Sequence, residues 1–99
     1  MSRISVAIDW DGTASVNPKL YLQIAKMLKA AGMNVCIVTF RYHSEMEGEL
    51  DPEWFEVITG LFCTERQAKD EYMRNLGIII HQWWDDNPKS VYMSALEIW

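Results

Sequence analysis

Three short stretches of this chain, SVAI (5–8), NVCIVTF (34–40) and LFCT (61–64), are apolar or β-branched almost throughout, with helix-like sequence between them. That alternation limits the fold more than any other feature. A strand that is apolar on both faces must be covered on both faces, and a helix that crosses between such strands leaves them parallel. The first strand is expected over residues 4–9. Asn17-Pro18 then sets an N-cap and a first-turn proline. Leu20, Ile24, Met27, Leu28 and Ala31 recur at helical spacing up to Gly32. A second strand follows over 34–40.

Residues 41–50 carry no period and are rich in Glu. Asp51-Pro52 repeats the cap-and-proline signal and predicts a short helix through Ile58. A third strand lies at 61–64. Thr64 and Gln67 read as a capping box for a helix from about Glu65 to Leu76, closed by Gly77. A fourth strand is expected over 78–84, and Asn87-Pro88 opens a last helix that runs close to Trp99. The expected fold is therefore a single α/β domain over residues 1–99. It is a Rossmann-like, three-layer, doubly wound sandwich on a parallel sheet of about four strands in the order 4-1-2-3.

The 99 residues carry a net charge of −5, which argues against tight binding to a polyanion but leaves room for a single phosphate at a local site. No leader segment is read at the start, and no apolar run approaches the roughly 18 residues that span a bilayer. Cys36 and Cys63 sit in apolar segments, where buried reduced thiols are expected. These features predict a soluble, cytoplasmic protein with no membrane partner.

In a doubly wound sheet, ligands bind beyond the carboxyl ends of the strands. Asp9, Asp11, Gly12 and Thr13 follow the first strand, Thr39 and Arg41 end the second, and Asp85 and Asp86 end the fourth; Lys69 precedes that last strand. Two carboxylates about 4 Å apart repel by about 4 kcal/mol at an effective dielectric of about 20. Such a cluster needs a proton or a cation, and an oxygen-rich site with few ligands suits Mg2+ with a phosphate beside it. This reading requires Asp9 to lie within about 8 Å of Asp85 or Asp86, close enough to share one ion.

The string Asp9-x-Asp11-Gly12-Thr13 after a strand resembles the first motif of the haloacid dehalogenase superfamily of phosphohydrolases. Thr39, Lys69 and Asp85-Asp86 resemble its second, third and fourth motifs, in the family's order. The resemblance implies a Mg2+-dependent phosphatase that hydrolyses a phosphate monoester through an aspartyl-phosphate. It makes Asp9 the nucleophile, Asp11 the acid and base, and Lys69 the charge-steadying catalytic cation. Thr39, Arg41, Gly12 and Thr13 would bind substrate. Asp9, the backbone carbonyl of Asp11, and Asp85, Asp86 or both would hold the metal. The substrate would be a phosphorylated small molecule, a nucleotide or a nucleic-acid end. Three features depart from the family pattern: no fifth strand, no proline after Lys69, and no cap domain. The truncated sheet favours an alternative, a phosphate-binding or interaction module without turnover.

Each residue also has a plainer reading. Asp9 and Asp11 suit a turn, Trp10 a core, and Asp86-Asn87 a helix cap that leaves Asp85 alone on the metal. Lys69 suits a solvated helix face, with Lys89 as a weaker candidate for its role. Arg41 suits a salt bridge to nearby glutamates as well as it suits a substrate. Trp83 and Trp84 should pack on opposite faces of their strand. Trp99 and the methionines offer an apolar patch for a homo-oligomer.

Overall fold

A computed structural model describes residues 3–98. Strands β1 (Ser5–Ile8), β2 (Asn34–Thr39), β3 (Gly60–Cys63) and β4 (Gln82–Trp84) form one sheet. All neighbours run parallel, in the order β3-β2-β1-β4, which from the opposite edge reads β4-β1-β2-β3. β1 is buried along its whole length and β2 nearly so, whereas the edge strands β3 and β4 are half-covered. The near-continuous apolar run of the two inner strands follows from cover on both faces.

Helix α1 (Pro18–Ala30) and the one-turn α3 (Trp54–Val57) cover one face, with Val6, Ile8, Val35, Ile37, Trp10 and Trp54 in its core. On the other face, Met73 of α4 (Lys69–Asn75) packs on Ala7, Cys36, Val38 and Ile80. Three more one-turn helices, α2 (His43–Met46), α5 (Lys89–Tyr92) and α6 (Ala95–Ile98), and a 3-10 turn at Ala14–Val16 complete the described elements. Trp83 and Trp84 join opposite cores, as alternation along a strand requires. Cys36 and Cys63 are also on opposite faces, both buried and free. Burial pushes the Cys36 thiol up to about 11. No helix among the described residues is long and apolar enough to cross a membrane.

Several expectations are corrected. Asn17 does cap α1, its side chain accepting the Leu20 N–H at 3.2 Å. The buried stripe of that helix, however, runs through Leu22 and Ala25, with Tyr21 and Leu28 half-buried, while Leu20 and Met27 are exposed. Both stripes satisfy the helical period; the alanine side allows the closer approach to the sheet. α4 begins at Lys69 and not near Glu65, because Glu65 and Arg66 take left-handed φ values of 56° and 71°. The Thr64 hydroxyl donates to the Gln67 carbonyl at 2.8 Å instead of capping a helix.

The expected fourth strand over 78–84 shrinks to Gln82–Trp84. At its start the His81 Nδ1 accepts the Ser5 N–H at 3.0 Å, so a side chain replaces the next carbonyl of the ladder. The last helix is broken at Met93, whose backbone is extended. Trp99, the proposed helix end and part of the apolar patch, lies outside the described residues.

Candidate functional site

β1 and β4 are neighbours in the sheet, yet the chain leaves their carboxyl ends toward different faces and different partners. The crevice expected at such a reversal opens there. The Asp9 N–H continues the ladder by donating to the Trp84 carbonyl at 2.8 Å, which fixes Asp9 at the crevice. Trp10 turns back into the core and meets Trp54 edge-on, ring centroids 6.1 Å apart. Asp11 then emerges on the outside. The tryptophan between the two aspartates thus anchors the turn and sends the two carboxylates to different surroundings.

Asp9, Asp85 and Asp86 each offer one oxygen, and the three lie within 4.8 Å of one another. This satisfies the proximity that a shared ion requires. The donor set of carboxylate oxygens fits a hard divalent cation. Burial pushes the Asp9 carboxyl up to about 7; Lys69 opposes the rise, and the Asp86 and Asp85 carboxyls reinforce it. A cation among these oxygens would reverse that balance.

Lys69, not Lys89, lies among the acids. It is only 2% exposed, and its Nζ donates to Asp9 Oδ1 at 2.8 Å and Asp85 Oδ2 at 2.5 Å. The reading of Lys69 as a solvated residue is therefore excluded. Its place at the first position of α4 follows from the left-handed turn before it, which swings the helix start beneath the crevice.

Asp85 is the more heavily engaged of the two β4 acids. Its Oδ2 also accepts from Ser90 Oγ at 2.9 Å, and its Oδ1 accepts the Asn87 N–H at 2.9 Å. The turn-capping role expected at Asp86-Asn87 thus falls to Asp85. Asp86 is freer. Its N–H donates to Thr13 Oγ1 at 3.1 Å, and the Thr13 hydroxyl lies 3.4 Å from Asp86 Oδ1 and 3.5 Å from Asp9 Oδ2. One hydroxyl proton serves only one of those carboxylates at a time. Gly12 makes room for Asp86: a Cβ there would sit 2.3 Å from Asp86 Oδ2, and its φ is +76°.

Asp11 stands apart from the three-acid cluster. Both its oxygens are held by Arg41, from Nε at 2.9 Å and Nη2 at 2.6 Å. Arg41 Nη1 reaches Glu49 Oε1 at 3.0 Å and the Glu45 carbonyl at 2.9 Å. The salt bridge expected between Arg41 and a glutamate is present, alongside a stronger fork to Asp11. Thr39 is fully buried at the end of β2, where its Oγ1 accepts the Arg41 N–H at 3.2 Å; it does not line the cavity. Gly12 and Thr13 line a separate recess on the far side of Asp85 and Asp86.

The cavity itself measures about 310 Å³ and holds Asp9, Asp11, Lys69, Asp85 and Asp86 on its wall with Arg41. Phe40, Arg66, Asn87 and Ser90 also line it and were not anticipated. Ser90 had a readable signal: a short helix opened by Asn87-Pro88 turns it back toward Asp85. Arg66 was hidden by the expectation of a helix through its position. Scans against protein-family models, curated proteins and solved structures find no match for this chain.

Proposed function

We propose that this chain is a Mg2+-dependent phosphomonoester hydrolase of the haloacid dehalogenase type. One observation carries the reading: three acids from the ends of two adjacent strands bring their oxygens within 4.8 Å of one another, and a buried lysine pairs with two of them, Asp9 and Asp85. A fold does not keep such a cluster for stability, because buried like charges are costly without a counter-ion.

Asp9 attacks phosphorus with Oδ2, since Lys69 holds Oδ1. The Asp9–phosphorus bond forms as the ester P–O bond breaks, and the leaving oxygen takes a proton from Asp11. Water then attacks the phosphorus of the aspartyl-phosphate and gives its proton to Asp11. Asp9 returns as carboxylate and inorganic phosphate leaves. Asp86, Asp9 and the Asp11 carbonyl would hold the metal, with Asp85 positioning Lys69. The ion supplies charge neutralisation for the transferring phosphoryl group and lets Asp9 ionise at neutral pH. Thr39, buried behind the cavity wall, positions Arg41 by accepting its backbone N–H.

The test is hydrolysis of a phosphate-ester panel, from an aryl phosphate to nucleotides and phosphorylated oligonucleotides, with Mg2+. Asp9→Asn and EDTA should each abolish phosphate release; turnover that survives both ends the proposal. A non-hydrolysing phosphate-binding module is the second reading, favoured by the complete engagement of Asp11 by Arg41. Mg2+-dependent trapping of beryllofluoride on Asp9, with no ester of the panel hydrolysed, supports that reading instead.

A further inference from the structure

An acid that protonates a leaving group must present an oxygen to it. Both Asp11 oxygens are turned to Arg41, one accepting from Nε and the other from Nη2. The pairing is open to solvent: the Asp11 side chain is 53% exposed and that of Arg41 25%. A dissolved anion can therefore reach it and compete for the fork. Arg41 is also tethered independently of Asp11, since its Nη1 holds the Glu45 carbonyl and Glu49. The fork can change its acid partner while the side chain stays on the cavity wall. Among the cations that line the cavity, Lys69 is committed to Asp9 and Asp85, and Arg66 is pinned by the Phe40 carbonyl, by Glu45 and by the Tyr42 ring. Arg41 alone presents a two-pronged donor whose present occupant is an exposed carboxylate. A fork of that shape matches a carboxylate or a phosphate.

We propose that Arg41 is a partner-switching specificity residue: it exchanges Asp11 for a second anionic group on the substrate, and so frees Asp11 only when that group is bound. The inference rests on the hydrolase reading and names its substrate class, a phosphate monoester with a second anion within one side chain's reach of the scissile phosphate. Asp11 in the free protein stands in for that anion. Arg41 acts on the leaving group only through Asp11, so it is a positioning residue as well as a contact.

The experiment compares glycerol 3-phosphate with 3-phosphoglycerate, which differ in one carboxylate, at saturating Mg2+. The wild-type chain is expected to favour 3-phosphoglycerate by about tenfold in kcat/KM, the worth of one charge-assisted fork. Arg41→Gln should erase that preference and raise kcat on glycerol 3-phosphate, because Asp11 is released. Arg41→Lys keeps the charge without the fork and should lose most of the preference while retaining the fold. A preference that is missing in the wild type or intact in both variants overturns the proposal, as does a fall in kcat on glycerol 3-phosphate in Arg41→Gln. If the wild type hydrolyses neither these esters nor any of the wider panel, the hydrolase reading fails with it; hydrolysis without an Arg41-dependent preference overturns the switching alone.

Discussion

Asp9 and Asp11 are two positions apart, but one carboxylate is buried against a lysine and the other lies in solvent under an arginine fork. Substitution should separate their contributions. In the metal-free protein at pH 8, Asp9→Asn removes a charge that its surroundings disfavour. We expect stability to rise by about 1 kcal/mol while activity is lost, a trade common at functional sites; urea denaturation measures the first. Lys69→Met has the opposite sign, leaving Asp9 and Asp85 without their buried partner. The expected loss is about 3–5 kcal/mol in the same assay, the range for breaking one side of a buried pair. Gly12→Ala forces a Cβ into the Asp86 carboxylate at a left-handed φ, and should cost about 1–2 kcal/mol and weaken divalent binding in a calorimetric titration. The acids and the glycine were readable in the sequence, because strand-end placement needs only the order of elements, whereas Lys69 was singled out by its resemblance to the third motif. The Arg41 fork on Asp11 was not, since nothing in a linear pattern says that a guanidinium will choose an acid thirty positions away over the glutamates that follow it.

At the level of the elements, α4 shows what sequence pattern misses. Thr64 and Gln67 carry a familiar helix-start signature, yet the chain makes a left-handed turn through Glu65 and Arg66 with no glycine to announce it. The turn is held by tertiary bonds: the Arg66 N–H donates to the Phe40 carbonyl, and the Ala95 N–H to the Arg66 carbonyl. Glu65→Gly should therefore stabilise the chain by about 1 kcal/mol, read as a higher Tm, by relieving a left-handed conformation that a side chain disfavours. β4 was overextended for a similar reason, because a histidine ring nitrogen takes the place of a backbone acceptor at its first rung. By contrast, β1, β2 and α1 were legible because burial on both faces and a capped amphipathic run are properties of local sequence.

For the molecule as a whole, a metal held by the three acids would compete with the proton on Asp9. The Asp9 carboxyl titrates near its ordinary value of 3.8 in the unfolded chain and near about 7 when folded. The folded state thus binds the proton more tightly. The stabilisation from this group is full below the unfolded value and is lost as pH rises through the folded one. A divalent ion replaces the proton, so the Tm gain on adding Mg2+ should be small at pH 5 and large at pH 8. Equal gains at the two pH values in a thermal melt would contradict a metal site at these acids.

The ladder between β1 and β4 joins the first strand of the fold to its last. Asp9 and Asp86 therefore come face to face only when β4 docks on β1. A partly folded chain holds these acids far apart in water, where they neither repel nor bind an ion tightly. Divalent binding at the proposed site would accordingly report the docking of β4 on β1.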